Sequence, residues 1–341
     1  MNNIPLVSVI SPAYNHGKYI EECIKSILRQ SFPDWEMLIM DDGSTDDTAE
    51  IAERLSENDS RIMVFRQNNI GIFRLAETYN KALANSHGKY ICILECDDLW
   101  EPDKLKRQTE TMEKDPSVVV TWGKAMAFHS GDLSSAGIYP KTVPEGTFYQ
   151  NDPPGNILNI LFIENPIPAA TMMIRKSALS RTGGFIQRPG LPLVDLSTLL
   201  ELADKGTFHY DDRILAKWRV YEAQTTKTYP VQILEGRRDL CLEKFRSLDP
   251  EIKCKLSVSE SELIKHFKKQ HIIACARSGR YKLIRKDFRG ARSDYKKAIF
   301  APGFQEPVWR MRAITGYIFS LFHKDIEGLS RLLGKESYKK R

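Results

Sequence analysis

Over its first 125 residues the chain switches hydrophobic period repeatedly, and that alternation limits what it can fold into. Leu6-Val7-Ser8-Val9-Ile10 is a short β-branched run that reads as a buried strand, and Ile20, Cys23, Ile24, Ile27 and Leu28 then recur at helical spacing. Further strands are expected at Trp35–Met40, Ile62–Phe65, Tyr90–Leu94 and Val118–Thr121. Between them lie helices at Thr45–Leu55, from about Leu75 to Ala84, and at Pro102–Lys114, the last with proline in its first turn. Strands alternating with helices form a parallel sheet covered on both faces. Ligands in such sheets sit outside the carboxyl ends of the strands. The loops that follow the strands are therefore the ones to read for chemistry.

The remainder is organised differently. Residues 131–155 are rich in Gly, Pro, Ser and Thr and read as an irregular excursion. Order resumes at Ile157, with a strand expected at Thr171–Ile174 and helices near Ser177 and at Leu196–Lys205. Beyond Pro230 the pattern is helical and basic. Residues 231–341 hold 26 Lys and Arg against 13 Asp and Glu, whereas the first 230 residues carry 24 against 31. This predicts a catalytic domain over 1–230, divided near 125, and a basic helical extension over 231–341, each meeting different things. With 42% apolar and 28% charged residues the chain is globular rather than disordered. Six scattered cysteines, with no CxxC pair and no Cys/His cluster at zinc spacing, read as reduced thiols of a cytosolic protein. The Met-Asn-Asn-Ile-Pro start lacks the character of a signal peptide. No apolar run approaches the ~20 residues that cross a bilayer.

Four loops share one chemical bias. They are Ser11-Pro-Ala-Tyr-Asn15, Asp41-Asp-Gly-Ser-Thr-Asp46, Glu95-Cys-Asp-Asp98 and Pro192-Leu-Val-Asp195. Carboxylates gathered at the mouth of a parallel sheet repel one another unless a cation sits among them, and oxygen-only ligands suit Mg²⁺ or Mn²⁺. Such an ion usually completes its shell with substrate phosphates, so a nucleotide diphosphate is the natural guest. Each piece also has a plainer reading. The Asp42-Gly-Ser-Thr-Asp run can be a turn with Ser44 or Thr45 capping a helix. Asp97-Asp98 can be an exposed loop pair, Asp195 a helix N-cap, and Tyr14 a partly buried aromatic. The order and spacing of all the pieces together favour the ligand site.

Val7-Ser-Val-Ile-Ser-Pro-Ala-Tyr-Asn, Asp41-Asp-Gly-Ser-Thr-Asp-Asp-Thr, Gly88-Lys-Tyr-Ile-Cys-Ile-Leu-Glu-Cys-Asp-Asp-Leu-Trp and Pro102-Asp-Lys-Leu together resemble the family 2 glycosyltransferases. The resemblance is strong over residues 5–125 and fainter over 156–228, and it does not cover the tail. It implies the GT-A fold, an α/β architecture with a mostly parallel sheet flanked by helices, here with a helical C-terminal extension. It also implies an inverting, metal-dependent transfer of one sugar from a nucleotide-sugar, most simply a UDP-sugar, to an acceptor hydroxyl. Carried over residue by residue, Pro12, Tyr14 and Asn15 would surround the nucleobase and Asp42 would accept a hydrogen bond from it. Arg74 would face the pyrophosphate. Glu95 and Asp97 occupy the family's Asp-x-Asp position, with Asp97, aided by Asp98, as ligand to Mn²⁺ or Mg²⁺. Asp195 stands where the catalytic base is expected.

The chain departs from the family pattern at named places. Glu95 replaces the usual Asp, Val194 breaks a Glu-Asp pair, and Trp218-Arg-Val-Tyr221 sits where relatives have Arg-x-His. The Gln-x-x-Arg-Trp signature of processive synthases is absent, which favours single-sugar transfer. The resemblance implies a cytoplasmic enzyme of glycan or cell-surface polysaccharide synthesis, with a glycan or lipid-linked glycan acceptor and no nucleic-acid partner. The aromatic stretch at Val308–Phe322 reads either as a helix packed on the catalytic domain or as an interfacial segment on the inner face of an anionic membrane. Three rival functions fit the sequence less well. A nucleotidyltransferase calls for a Gly-rich, Lys/Arg-bearing loop that Ser11–His16 is not. A glycoside hydrolase would need two carboxylates and no nucleotide pocket. A catalytically inactive nucleotide- or glycan-binding scaffold rests on Glu95 alone.

Overall fold

The computed structural model describes residues 4–130, 134–141, 148–221, 224 and 228–324. The basic tail beyond 324 and parts of the 131–155 stretch lie outside the described residues. The chain divides into two compact units, residues 1–224 with 248–257 and residues 225–247 with 258–341.

In the first unit β1 (Val7–Ala13), β2 (Trp35–Asp41), β3 (Ile62–Arg66) and β4 (Tyr90–Ile93) alternate with α1 (Ile20–Leu28), α2 (Thr48–Ser56) and α3 (Leu75–Asn85). All seven residues of β1 and of β2 are buried, as strands covered on both faces must be. The four strands are mutually parallel in the order β3-β2-β1-β4, with Ala13 opposite Asp41 and Ile10 opposite Ile93. The connections reverse direction at β1, so the loops after β1, β2 and β4 open on one side of the sheet.

The rest of this unit is β5 (Leu99–Trp100), α4 (Lys104–Lys114), β6 (Val118–His129), β7 (Ser135–Tyr139), α5 (Leu158–Leu161), β8 (Met173–Arg175), α6 (Lys176–Arg181), α7 (Asp195–Leu202) and β9 (Thr207–Val220). The sheet runs β3-β2-β1-β4-β8-β6-β9-β5, with β7 paired to β6. Antiparallel pairs β4–β8 and β6–β8 make this part mixed, while β6 and β9 run parallel. Two features escape the sequence pattern. β7 makes a hairpin with β6 inside the stretch expected to be irregular. The 14-residue β9 is hidden because Asp211-Asp212-Arg213 interrupts its alternation, where the register with β6 shifts beside Gly123/Lys124.

In the second unit α8 (Pro230–Ser247) is followed by α9 (Pro250–Lys253), which belongs to the first unit, and then by α10 (Glu260–Ile284), α11 (Phe288–Ile299) and α12 (Pro307–Leu321). A capping box opens α10: Ser259 accepts from the Glu262 N–H, and the Glu262 carboxylate accepts from the Ser259 N–H. The core here gathers Ile272, Cys275, Leu283, Ala291, Tyr295, Ala298 and Ala313.

Candidate active site

The loops after β1 and β2 are stitched together by their own polar groups. Asn15, in the left-handed region at φ 54°, donates its N–H to Ser44 Oγ at 2.9 Å and accepts from the Thr45 N–H through Oδ1 at 2.8 Å. Asn tolerates that conformation better than most residues. The His16 N–H reaches Thr48 Oγ1 and the Gly17 N–H reaches Asp46 Oδ2. These bonds correct the expected helix start. Ser44 and Thr45 do not cap α2; they reach across to Asn15, and the helix begins at Thr48 with Asp47 in the N-cap position. Gly43 cannot be replaced in this turn. Its φ is +72°, and a Cβ would stand 2.7 Å from the Asn69 N–H nitrogen.

Asp42, 9% exposed, organises the next loop. Its Oδ1 accepts from the Ile70 N–H at 3.0 Å and from Gln67 Nε2 at 2.7 Å, and its Oδ2 accepts from the Gly71 N–H at 3.0 Å. Asn69 Nδ2 donates to the Asp42 carbonyl. Arg74 follows directly, held by Glu77 through two bonds of 2.6 Å in an exposed pair of small energetic weight. Pro12 is buried in β1 opposite Met40, and Tyr14 stands 47% exposed beyond it.

The acidic loop after β4 is the centre of the arrangement. Asp97 and Asp98 are both 6% exposed, so they are not an exposed loop pair. Asp97 Oδ2 accepts from the Tyr221 hydroxyl at 2.9 Å, while its buried Oδ1 has no hydrogen-bond partner. A buried carboxylate oxygen without a donor is costly unless a cation or ligand completes it. Asp98 is differently placed: its Oδ1 accepts from the Arg219 N–H at 2.9 Å. The Arg219 guanidinium, 2% exposed, donates to the Asp97 carbonyl and to Glu22, and lies over the Tyr19 and Phe128 rings. The end of β9 thus braces the acidic loop.

The Glu95 carboxyl is pushed up to about 7 by burial and by the Asp97 charge, against the pull of His16 and of the Tyr79 hydroxyl that donates to it. Burial lowers His16, but Cys96, Asp97 and Glu95 outweigh it and lift the imidazole to about 9. The field of Asp195 also reaches Glu95 and Tyr79. The structure therefore gathers Glu95, Asp97 and Asp195, residues far apart in sequence, into one electrostatic neighbourhood.

Asp195 differs from expectation in one respect. The N-cap position of α7 is Val194, without a side-chain cap, and Asp195 is the first helical residue. Its Oδ2 accepts from Asn165 Nδ2 at 3.0 Å. Tyr79, His16, Gln67, Asn165 and Tyr221 were not singled out as site residues by sequence. Only Tyr221 carried a signal, as a departure from Arg-x-His.

Among the described residues no three His, Cys, Asp or Glu side chains stand grouped to hold a metal ion. Asp97 Oδ1, buried without a donor, is an oxygen that an ion could take up, with Asp98 next to it in the loop. Two surface concavities, of about 340 and 550 Å³, are lined by Lys89, Arg175 and Lys176 and by Arg107, His209 and Asp211 respectively. Neither includes a residue of this acidic neighbourhood, whose assignment rests on side-chain chemistry.

Residues 8–181 match the family described as glycosyl transferase family 2. A teichuronic acid biosynthesis glycosyltransferase of Bacillus subtilis (strain 168), TuaG, is 35% identical over 219 residues, 63% of this chain and 79% of that protein. Several other curated relatives match over less than half of their own length. Among solved structures, S. aureus TarS 1-349 in complex with UDP-GlcNAc superposes with a TM-score of 0.57 at 19% identity, over 96% of this chain and 92% of that one. The mannosyltransferase PcManGT from Pyrobaculum calidifontis, in complex with GDP-Man and Mn²⁺, gives 0.55 at 16% identity over 95% and 89%. At these identities the likeness shows the fold alone, and that fold is GT-A. The family match spans half of the sequence, and the Bacillus relative is covered over most of its length; the chain belongs to glycosyl transferase family 2.

Proposed function

We propose that the protein transfers one sugar from a UDP-sugar to an acceptor hydroxyl with inversion, in the cytoplasm, in the synthesis of a glycan or cell-surface polysaccharide. Catalysis is assigned to residues 1–230, with 231–341 as an appended helical extension. The observation that carries the reading is Asp97: a buried carboxylate in the loop after β4, with one oxygen held by Tyr221 and the other without a donor, beside Glu95 and with the charge of Asp195 reaching that same Glu95. TarS with UDP-GlcNAc and PcManGT with GDP-Man and Mn²⁺ support a nucleotide-sugar guest by likeness of fold.

Asp97 would hold a Mn²⁺ or Mg²⁺ ion through Oδ1. When bound, the ion supplies positive charge against the diphosphate. Tyr14, Pro12 and Asn15 would border the base, and Asp42, by fixing the Gln67–Gly71 loop, shapes the wall beside it. Arg74 would meet the pyrophosphate by exchanging Glu77 for phosphate oxygens. The acceptor oxygen attacks the anomeric carbon, the bond from that carbon to the phosphate oxygen breaks, and the proton of the hydroxyl passes to Asp195. A general base of this kind contributes typically ~10²–10⁴-fold.

The test is a donor-hydrolysis and transfer screen over UDP-, GDP- and dTDP-sugars with Mn²⁺, repeated in excess chelator. Release of UDP that chelator stops and Mn²⁺ restores is the expected result. Full turnover in chelator would remove Asp97 from its role, and turnover with GDP-sugars alone would overturn the donor.

A further inference from the structure

α12 leaves a row of aliphatic side chains outside, while its aromatic Trp309, Tyr317 and Phe319 pack half-buried against the core of the unit. Its buried positions are Ala313, Gly316 and Ser320, while Val308, Met311, Ile314, Ile318 and Leu321 are between 44 and 69% exposed. At the 3.6-residue period of a helix these outward positions fall on one continuous side. Where the helix passes over Tyr295 only a small residue fits: a Cβ on Gly316 would stand 2.2 Å from Tyr295 Cζ. The connection ahead of the helix adds Phe300 and Phe304, 77 and 99% exposed, and Phe322 closes the far end at 70%. Single exposed apolar residues are ordinary, but a contiguous set of this size on one helix and its approach marks a binding surface.

The surrounding charge identifies what covers it. Residues 271–324 contain 12 Lys and Arg against 3 Asp and Glu, and one of those acids, Asp294, is buried against Ser278 and Lys282. Arg312 lies over the Trp309 ring and Lys296 over the Tyr317 ring, so cations flank the helix that bears the apolar side. A second copy seated on this face in a two-fold contact would bring these like charges together. Anionic headgroups would neutralise them. We propose that the outward face of α12, with Phe300 and Phe304, docks on an anionic lipid surface. The apolar side chains enter the boundary between headgroups and acyl chains, and Arg312, Lys324 and the α11 lysines meet lipid phosphates. This inference does not rest on the donor-site reading.

The experiment is flotation of the full chain with phosphatidylcholine vesicles, with and without phosphatidylglycerol, at low and high salt. The full chain should float with the anionic vesicles, much less with the neutral ones, and less as salt rises. Phe304→Ser with Ile318→Ser should lower the bound fraction about tenfold, since each removes buried apolar area at the interface, with the thermal unfolding midpoint unchanged. Arg312→Glu with Lys324→Glu should abolish the preference for anionic lipid, an independent arm if the first pair disturbs folding. No flotation, or flotation untouched by both pairs, overturns the proposal. Self-association by light scattering that Phe304→Ser and Ile318→Ser abolish, without vesicle binding, assigns the face to a second copy instead.

Discussion

The loops at the carboxyl ends of β1, β2 and β4 and the outer face of α12 treat their side chains in opposite ways. In the loops, polar groups are turned inward and satisfied by one another: Asn15 by Ser44 and Thr45, Asp42 by three donors, Asp98 by the Arg219 N–H. On α12, Ala313, Gly316 and Ser320 are buried and the aromatics half-buried, while Val308, Met311, Ile314, Ile318 and Leu321 face out. A preorganised polar cradle fixes directional groups in place and leaves a few buried atoms without partners, Asp97 Oδ1 among them with Ser11 Oγ, His16 Nδ1 and Asp41 Oδ1. An apolar face without directional groups specifies only a class of surface. One region holds its polar groups by directional bonds; the other presents apolar area without them.

Asp97 should show the greatest loss on substitution. Replacement by Asn keeps the Tyr221 hydrogen bond and the volume but removes the charge, so transfer should fall by roughly 10³-fold, the scale of lost transition-state charge stabilisation. Circular dichroism and the unfolding midpoint should stay near native. Transfer within tenfold of native would mean that the open oxygen is a packing accident. Asp195→Asn should follow at roughly 10²-fold, because an amide cannot take the acceptor's proton. Donor binding by calorimetry should remain native, since Asn at the first helical position keeps an oxygen for Asn165. A native transfer rate would leave Asp195 as a first-turn helix acid and place the base elsewhere.

Asp42 sharpens the cradle side in terms of stability. Asp42→Ala strips the acceptor from the Ile70 and Gly71 N–H groups and from Gln67 Nε2. Leaving such donors unmet in a part-buried loop should cost about 2–4 kcal/mol of folding stability, read by urea titration, and UDP affinity should fall with it. Loss of UDP affinity at native stability would show direct contact with the base. Native values of both would reduce Asp42 to a turn residue.

Much of this was legible in the sequence, for a physical reason. The β1–β4 half alternates two clean hydrophobic periods, and its loops carry Asp, Asn, Ser and Gly at spacings that few other structures need. Strand and helix order and the acidic loop after β4 follow from that, whereas Asp195, outside this half, was placed by the family resemblance. β9 did not show itself, because Asp211-Asp212-Arg213 breaks its alternation where the ladder with β6 slips. The partners of the acidic loop were invisible for a related reason. Arg219 and Tyr221 lie 122 and 124 residues from Asp97, and only tertiary pairing brings them there. For α12 the sequence left a packed helix and an interfacial segment open, because its composition does not tell which side chains face in: the aromatics Trp309, Tyr317 and Phe319 pack on the core and the aliphatics are exposed.

The smallest expected effect tests whether the brace from β9 matters to the site or only covers it. Tyr221 donates to Asp97 Oδ2 at 2.9 Å and lies against the Tyr19 ring at 5.7 Å between centroids. Burial and then the Asp97 charge push its hydroxyl well above the ordinary tyrosine range. It therefore stays protonated, and a donor, throughout the neutral and mildly alkaline range. Phe at this position keeps the ring contact and removes only that donor. Asp97 would then be free to turn, and an ion bound at Oδ1 should lose about tenfold in affinity, the low end of what outer partners of a ligand contribute. Mn²⁺ titration followed by electron paramagnetic resonance reads this without turnover. In kinetics the Mn²⁺ concentration giving half-maximal rate should rise while kcat at saturating Mn²⁺ stays within twofold or so of native. Unchanged Mn²⁺ affinity in Tyr221→Phe would mean that Asp97 is held by its backbone and by Arg219 alone, and that Tyr221 contributes packing.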